Sequence, residues 1–289
     1  MYYNDNTLLF NDGEWLKAKD LMVSPYAQTM HYGIGVFEGI RSYATPQGTK
    51  IFKSAEHYKR LLYSADKMHL KLNYTHDQFT KLTYELLEKN NLSNSYIRPL
   101  IYTGANMSLF TNDEVHVMIC AWDWGNFLGT KLLNVMTSSY QRPNPKACHV
   151  EAKVTGHYVN SILATTEAKQ KGFDEALLLD MNENVAEGPG ANFFFEKDKV
   201  LYTCPSGNIL PGITRATIFE LCNELGIKLV EKYFTPDEVR GADGAFFTGT
   251  AAEVLGLNSL DKVNFKLKFE NTLGSILQKK YTRRVAFNE

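Results

Sequence analysis

The chain has 289 residues, 44% of them hydrophobic, which suits one large domain or two ordinary ones with packed cores. Lys+Arg 31 against Asp+Glu 32 gives a formal charge of −1, so no global field attracts nucleic acid or an anionic membrane and a small-molecule partner is expected. Cys120, Cys148, Cys204 and Cys222 show no C-x-x-C spacing and no histidine cluster, and the polar start Met1-Tyr2-Tyr3-Asn4-Asp5-Asn6 has no signal-peptide character, so a reduced cytoplasmic protein without a metal or a membrane span is expected.

Thr7-Leu8-Leu9-Phe10 and Glu14-Trp15-Leu16-Lys17 flank Asn11-Asp12-Gly13 and predict an opening hairpin. The run from Tyr26 to Gly33 predicts a short helix closed by glycine, followed by one strand over 35–43 and another over 49–52. Within residues 56–70, Tyr58, Leu61, Leu62, Ala65 and Met68 recur at helical spacing. Arg60 falls on the other face beside Glu56 and Lys67, where its own surroundings read as a solvated charge. Thr75 predicts the cap of a second helix through Phe79, Leu82, Leu86 and Leu87, and two β-rich runs follow over 96–102 and 115–122. Arg98 lies inside the first of these runs, just before a proline, so an anionic partner is expected for it.

Periodicity lapses at Gly125-Asn126-Phe127-Leu128-Gly129-Thr130, which sets an interdomain loop over 125–136 between domains at 1–124 and 137–289. The second half alternates a strand over 133–140, a lysine stretch, a helix over 160–170 and strands over 175–179 and 192–196. After Leu210-Pro211-Gly212 comes a helix with Ile218, Leu221, Cys222 and Leu225 on one face and Gly226 as its C-cap. Thr235-Pro236-Asp237-Glu238 has the form of a capping box, a strand follows over 244–248, and a helix over 271–281 closes the chain. The segregation of sheets and helices predicts two α+β domains.

Three features carry chemistry. Lys153, in Glu151-Ala152-Lys153-Val154-Thr155-Gly156-His157-Tyr158, is a candidate amine nucleophile, because partial desolvation disfavours the ammonium form. Gly212-Ile213-Thr214-Arg215 and Gly249-Thr250-Ala251-Ala252 are glycine turns leading into expected helix starts, each presenting backbone N–H groups beside a hydroxyl, as a phosphate requires. Neither has the Walker or G-x-G-x-x-G form, which disfavours a nucleoside triphosphate or a dinucleotide. Glu187 lies between an apolar strand and Phe193-Phe194-Phe195, where a carboxylate needs a cation or a proton. An imine-forming lysine, a buried glutamate and a monophosphate site together fit pyridoxal phosphate, whose aldehyde, ring nitrogen and phosphate need those three partners.

The runs HYGIGVFEGIR, EHYKRL, YIRPLIY, EAKVTGHY, AEGPGANFF, LPGITR and FFTGTAAE, in this order between Phe10 and Leu257, resemble those of class IV aminotransferases, most of all the branched-chain amino-acid aminotransferases. The resemblance implies an α+β, two-domain fold of type IV, a small N-terminal domain, a larger C-terminal domain carrying the lysine, pyridoxal 5′-phosphate held between them, and a homodimer at least. It implies that Lys153 holds the cofactor covalently, that Tyr158 bonds its phenolic oxygen, and that Glu187 keeps its ring nitrogen protonated. Arg60 with Ile213, Thr214 and Thr250 would bind the phosphate, against the solvated reading above, and Leu210 would pack on the ring. For the substrate, Tyr96, Thr250 and Ala251 would take the α-carboxylate, Phe37, Tyr32, Trp124 and Tyr158 the apolar side chain, and Arg98 the distal carboxylate of glutamate. The implied reaction is transamination between leucine, isoleucine or valine and 2-oxoglutarate, giving 2-oxo acids and L-glutamate. Val154-Thr155-Gly156-His157 and Pro189-Gly190-Ala191 depart from the commonest family pattern, and His157 beside the pocket tyrosine bears on substrate range. The competing readings are another class IV activity, on D-amino acids, R-amines or aminodeoxychorismate, and a non-catalytic phosphate-binding protein on the same fold.

Overall fold

The computed structural model describes residues 2–111, 113–124 and 131–287; the glycine loop expected at 125–130 lies outside the described residues. The chain groups into two compact units, Met1–Asn126 with Ala152–His157, and Phe127–Glu151 with Tyr158–Glu289.

The first unit opens with strands β1 (Leu8–Asn11) and β2 (Glu14–Lys17) joined through Asp12 and Gly13, both at positive φ (48° and 96°), the geometry a two-residue hairpin needs. Helix α1 (Gln28–Tyr32) ends at Gly33 with φ 69°. The single strand expected over 35–43 is broken into β3 (Gly35–Phe37) and β4 (Ile40–Thr45), both antiparallel to a later strand. At the break a Cβ on Gly39 would stand 2.0 Å from the Tyr96 hydroxyl, so only glycine permits this approach, and Glu38 turns into the interior with no exposure.

Strand β5 (Gly48–Ile51) and helices α2 (Ser54–Lys67) and α3 (His76–Lys89) follow, the latter held by a capping box between Thr75 and Gln78. With β6 (Ser95–Thr103) and β7 (Val115–Asp123) the strands form a seven-stranded sheet, β2-β1-β7-β6-β4-β5, with β3 also paired to β6. The apolar stripes of α2 and α3 bury Tyr58, Leu61, Phe79 and Leu86 against Ile97 and Ile119, and the Tyr58 and Phe79 rings stack at 5.1 Å.

Residues 152–157 join this unit through their backbone. Phe37 donates to the Lys153 carbonyl at 3.0 Å, Val154 bridges Val36, and Gly156 donates to the Gly33 carbonyl at 3.0 Å. A Cβ on Gly33 would meet the Gly156 Cα at 2.8 Å, so this approach too demands glycine. The lysine stretch, expected in the C-terminal domain, is thus grouped with β3 and α2.

The second unit comprises β8 (Leu133–Gln141), α4 (Tyr158–Gln170), β9 (Glu175–Leu179), β10 (Val185–Gly188), β11 (Ala191–Lys197), β12 (Val200–Thr203), α5 (Ile213–Leu225), β13 (Leu229–Glu231), α6 (Pro236–Arg240), β14 (Gly244–Gly249), β15 (Glu253–Leu260), β16 (Val263–Asn264) and α7 (Leu273–Phe287). Its nine-stranded sheet runs β10-β9-β8-β15-β14-β11-β12-β13, with β16 on β15. An additional β10–β11 pairing closes strands β10-β9-β8-β15-β14-β11 into a ring without free edges. The capping box at Thr235 and the C-cap Gly226 (φ 64°) form as expected.

Phe193, Phe194 and Phe195 are buried on alternate faces of β11, because both faces are covered. Phe193 and Phe195 join Phe247 and Leu255 in one core, whereas Phe194 stacks on Phe246 at 5.1 Å beneath Phe219 of α5. Phe194→Ala should therefore cost about 3–5 kcal/mol in urea denaturation, since the cavity opens between stacked rings with no mobile neighbour to fill it; a loss below about 1 kcal/mol would contradict this packing. Among the described residues no helix is long and apolar enough to cross a membrane.

Candidate active site

In the first unit the chain fixes Lys153 by its backbone and leaves its side chain half-buried. Its N–H donates to the Ser64 hydroxyl at 3.0 Å, while its carbonyl accepts from Phe37. The side chain therefore leaves a main chain pinned on both sides, with Nζ 5.0 Å from the centre of the Phe37 ring.

The other cation on that ring is Arg98, whose guanidinium lies 4.6 Å from the Phe37 centroid and 5.4 Å from that of Tyr96. The expected anionic partner of Arg98 is not supplied by the described residues: its neighbours are aromatic faces, and its buried Nε has no hydrogen-bond partner among them. Tyr96 in turn packs against Trp122 at 5.2 Å and Trp124 at 4.8 Å. Phe37, Tyr96, Arg98, Trp124 and Lys153 thus come together. Tyr32 stands apart from them, 47% exposed, with its hydroxyl donating to the Met107 carbonyl.

Arg60 corrects the solvated reading. Its side chain is 10% exposed, and Nε and Nη2 donate to the two oxygens of Glu38 at 2.6 and 2.9 Å. Helical spacing sets Arg60 opposite the core stripe, but β3 and β4 supply a carboxylate on that side.

Tyr158, Glu187, Leu210, Ile213, Thr214, Thr250 and Ala251 belong to the second unit. Glu187 on β10 is 4% exposed; it accepts from the Leu210 N–H at 3.1 Å and the Asn192 amide at 2.9 Å, and the Arg142 guanidinium forms an ion pair with it at 3.0 Å. That is the environment of an ionised carboxylate. The Asn192 amide also donates to the Leu210 carbonyl, which ties Glu187 to the chain entering α5.

Helix α5 starts at Gly212 with no side-chain cap, leaving its first N–H groups to another acceptor. A Cβ on Gly212 would meet the Asn192 side chain at 1.9 Å, so the glycine keeps this helix end against the Glu187 network. Thr214 is 3% exposed in its first turn. The second glycine turn is corrected: Gly249-Thr250-Ala251-Ala252 joins β14 to β15 as a hairpin and does not start a helix. It still lies close by, because a Cβ on Gly249 would stand 3.1 Å from the Gly190 carbonyl, and the buried Thr248 hydroxyl beside it has no hydrogen-bond partner among the described residues. Tyr158 opens α4.

Sequence reasoning misses Glu38, His57, Arg142 and Asn192. Glu38 stands within Val36-Phe37-Glu38-Gly39-Ile40, so the burial argument applied to Glu187 could have found it. No local signal marks Arg142.

The chain matches the family model described as Amino-transferase class IV over residues 35–260. It is 45% identical over 260 residues to the branched-chain-amino-acid aminotransferase of Pseudomonas aeruginosa, covering 88% of this chain and 85% of that protein. Its fold is similar to the branched-chain aminotransferase of Thermoproteus uzoniensis with norvaline, at a TM-score of 0.93 and 34% identity over 96% of this chain and 94% of that one. It is likewise similar to the branched-chain amino acid aminotransferase of Thermobaculum terrenum in its PLP-bound holo form, at a TM-score of 0.92 and 28% identity over 98% and 95%.

Proposed function

The chain belongs to the class IV aminotransferases, and from that premise we propose that it transfers amino groups between branched-chain L-amino acids and 2-oxoglutarate, with pyridoxal 5′-phosphate as its cofactor. The observation that carries the reading is the network of the second unit. A buried carboxylate clamped by donors and an uncapped helix end are held together through Asn192 and Leu210. These are the partners that a protonated ring nitrogen and a phosphate require, so the residues present fit the cofactor.

When bound, pyridoxal phosphate supplies an electron sink for the pair released at the substrate Cα. Lys153 would hold the cofactor covalently and, once the substrate amine has displaced it, its freed Nζ would carry the Cα proton, with its main chain locked so that the amine swings from a fixed root. Arg142 and Asn192 hold Glu187, which would keep the ring nitrogen protonated, and Tyr158 would donate to the phenolic oxygen. Ile213, Thr214, Thr250 and Arg60 would hold the phosphate, the uncapped start of α5 offering its N–H groups, and Leu210 would pack on the ring.

Phe37 and Trp124 provide an apolar wall for a branched side chain, worth about 25 cal/mol per Å² removed from water. The unpartnered Arg98 Nε supports its assignment to the distal carboxylate of glutamate, which would otherwise bind poorly against that wall. Tyr96, Thr250 and Ala251 are assigned to the α-carboxylate, and Tyr32, whose exposed ring stands outside the group around Phe37, is assigned to the outer part of the side-chain pocket. The enzyme is taken to act as a homodimer in the cytoplasm, which the exposed apolar side chains of Met22, Tyr26, Met30, Leu109 and Phe110 and four free thiols support.

The test is a pair of assays. 2-Oxo-4-methylpentanoate with L-glutamate should turn over at least about tenfold faster than 2-oxoglutarate with D-alanine, the difference that one good charge-assisted hydrogen bond makes. The reverse ranking refutes the branched-chain assignment.

A further inference from the structure

One face of α2 carries His57, Arg60 and Ser64, each engaged with a part of the site. Ser64 accepts from the Lys153 N–H at 3.0 Å and donates to the Arg60 carbonyl. His57 and Arg60, at i and i+3, both turn to Glu38. The Glu38 carboxylate is fully buried and accepts four hydrogen bonds, from Arg60 Nε at 2.6 Å and Nη2 at 2.9 Å, His57 Nδ1 at 2.7 Å and the Gly39 N–H at 3.2 Å. Its acceptor capacity is filled, which a buried carboxylate needs. Burial opposes its ionisation, but Arg60 and His57 outweigh that and hold its carboxyl far below the usual range. Burial also keeps His57 below its ordinary value against the pull of Glu38, so a neutral imidazole donates from Nδ1.

Such a cluster, 22 residues of chain apart at its ends, is larger than the packing of α2 on the sheet requires, since Tyr58, Leu61 and Ala65 already seat the helix. We infer that Glu38 and His57 are positioning residues that orient the Arg60 guanidinium for the cofactor phosphate, Glu38 by gripping its Nε–Nη2 edge and His57 by bracing Glu38 from behind. This rests on the proposed role of Arg60. Two of the five N–H groups are spent on Glu38, so the guanidinium plane is set before any anion arrives. Removing the carboxylate also removes a negative charge near the phosphate, which by itself would favour the anion. The two effects oppose each other, so a lowered phosphate affinity in Glu38→Gln means that the loss of orientation exceeds this gain.

The readout is the ratio of pyridoxal to pyridoxal 5′-phosphate dissociation constants on the apoenzyme, measured by fluorescence titration, because pyridoxal lacks the phosphate. Glu38→Gln and His57→Leu should each lower this ratio by about tenfold or more, with pyridoxal affinity changed less than about twofold, which corresponds to the loss of one charge-assisted hydrogen bond. His57→Asn, whose amide can donate from the Nδ1 position, should restore the parent ratio to within about twofold. Equal loss of both affinities would mark a merely structural cluster and overturn the inference, as would a higher phosphate affinity in Glu38→Gln. If Glu38→Gln does not fold, the two His57 variants decide alone. Arg60→Gln separates the layers: an unchanged ratio there overturns the Arg60 reading and the inference with it, whereas a lowered ratio beside unchanged Glu38 and His57 variants overturns only the inference.

Discussion

Lys153→Ala should lower kcat on leucine and 2-oxoglutarate by a factor on the order of 10⁴ or more, because one side chain is asked to be both nucleophile and proton carrier. The fold should be indifferent to the change. The bonds that hold this segment run through the main-chain N–H to Ser64 and the carbonyl to Phe37, and alanine keeps both. Among what alanine gives up is the approach of Nζ to the Phe37 ring, worth about 0.5–1 kcal/mol at a partly exposed site. Steady-state kinetics and thermal unfolding, measured together, check the two halves of this statement. Added methylamine should return part of the activity, since it replaces the missing base. Retention of more than about a tenth of the parent kcat would remove Lys153 from the reaction. Borohydride reduction of the parent followed by peptide mapping should place a pyridoxyl group on Lys153 alone.

Glu187→Gln should lower kcat by about 10²–10³, the loss seen when one preorganised electrostatic partner of a reacting centre is removed. The substitution preserves shape but inverts hydrogen bonding. The Leu210 N–H can still find the amide oxygen, whereas the Asn192 amide, committed to the Leu210 carbonyl as well, then faces a second donor. Arg142, 8% exposed, loses its counterion at 3.0 Å, and an uncompensated buried charge costs about 3–5 kcal/mol. Activity and stability should therefore fall together. Arg142→Met with Glu187→Gln should recover much of the stability without the activity, because the stranded charge is gone but the ring nitrogen still lacks its partner. A kcat within about tenfold of the parent in Glu187→Gln would show that the carboxylate does not serve the ring nitrogen.

The features legible in the sequence share a short range. The Asn11-Asp12-Gly13 turn, the capping box of Thr235 with Glu238, the Gly226 C-cap and the apolar stripe of α2 are each written within one turn or a few residues. Lys153 and Glu187 are legible for a related reason, as polar groups set among apolar neighbours. The break in the strand over 35–43 is not, because alternation continues through Glu38 and Gly39, and the close approach of Gly39 to the Tyr96 hydroxyl involves another strand. The turn at Gly249 misleads because glycine followed by threonine is equally at home in a hairpin and at a helix start.

What the sequence by itself determined is the order of the motifs and the class of the fold, and it singled out the candidate amine. Periodicity, caps and turn residues are local energies, and neighbouring residues are enough to set them. Only the tertiary structure decided which charge meets which. Arg60 looks solvated on its own helix and becomes a buried partner of Glu38, 22 residues away, once β3 and β4 deliver the carboxylate to the back of α2. Arg142 becomes the counterion of Glu187 through the pairing of β8, β9 and β10. Desolvation makes these pairings strong, and desolvation belongs to the packed chain as a whole, which no window of residues contains.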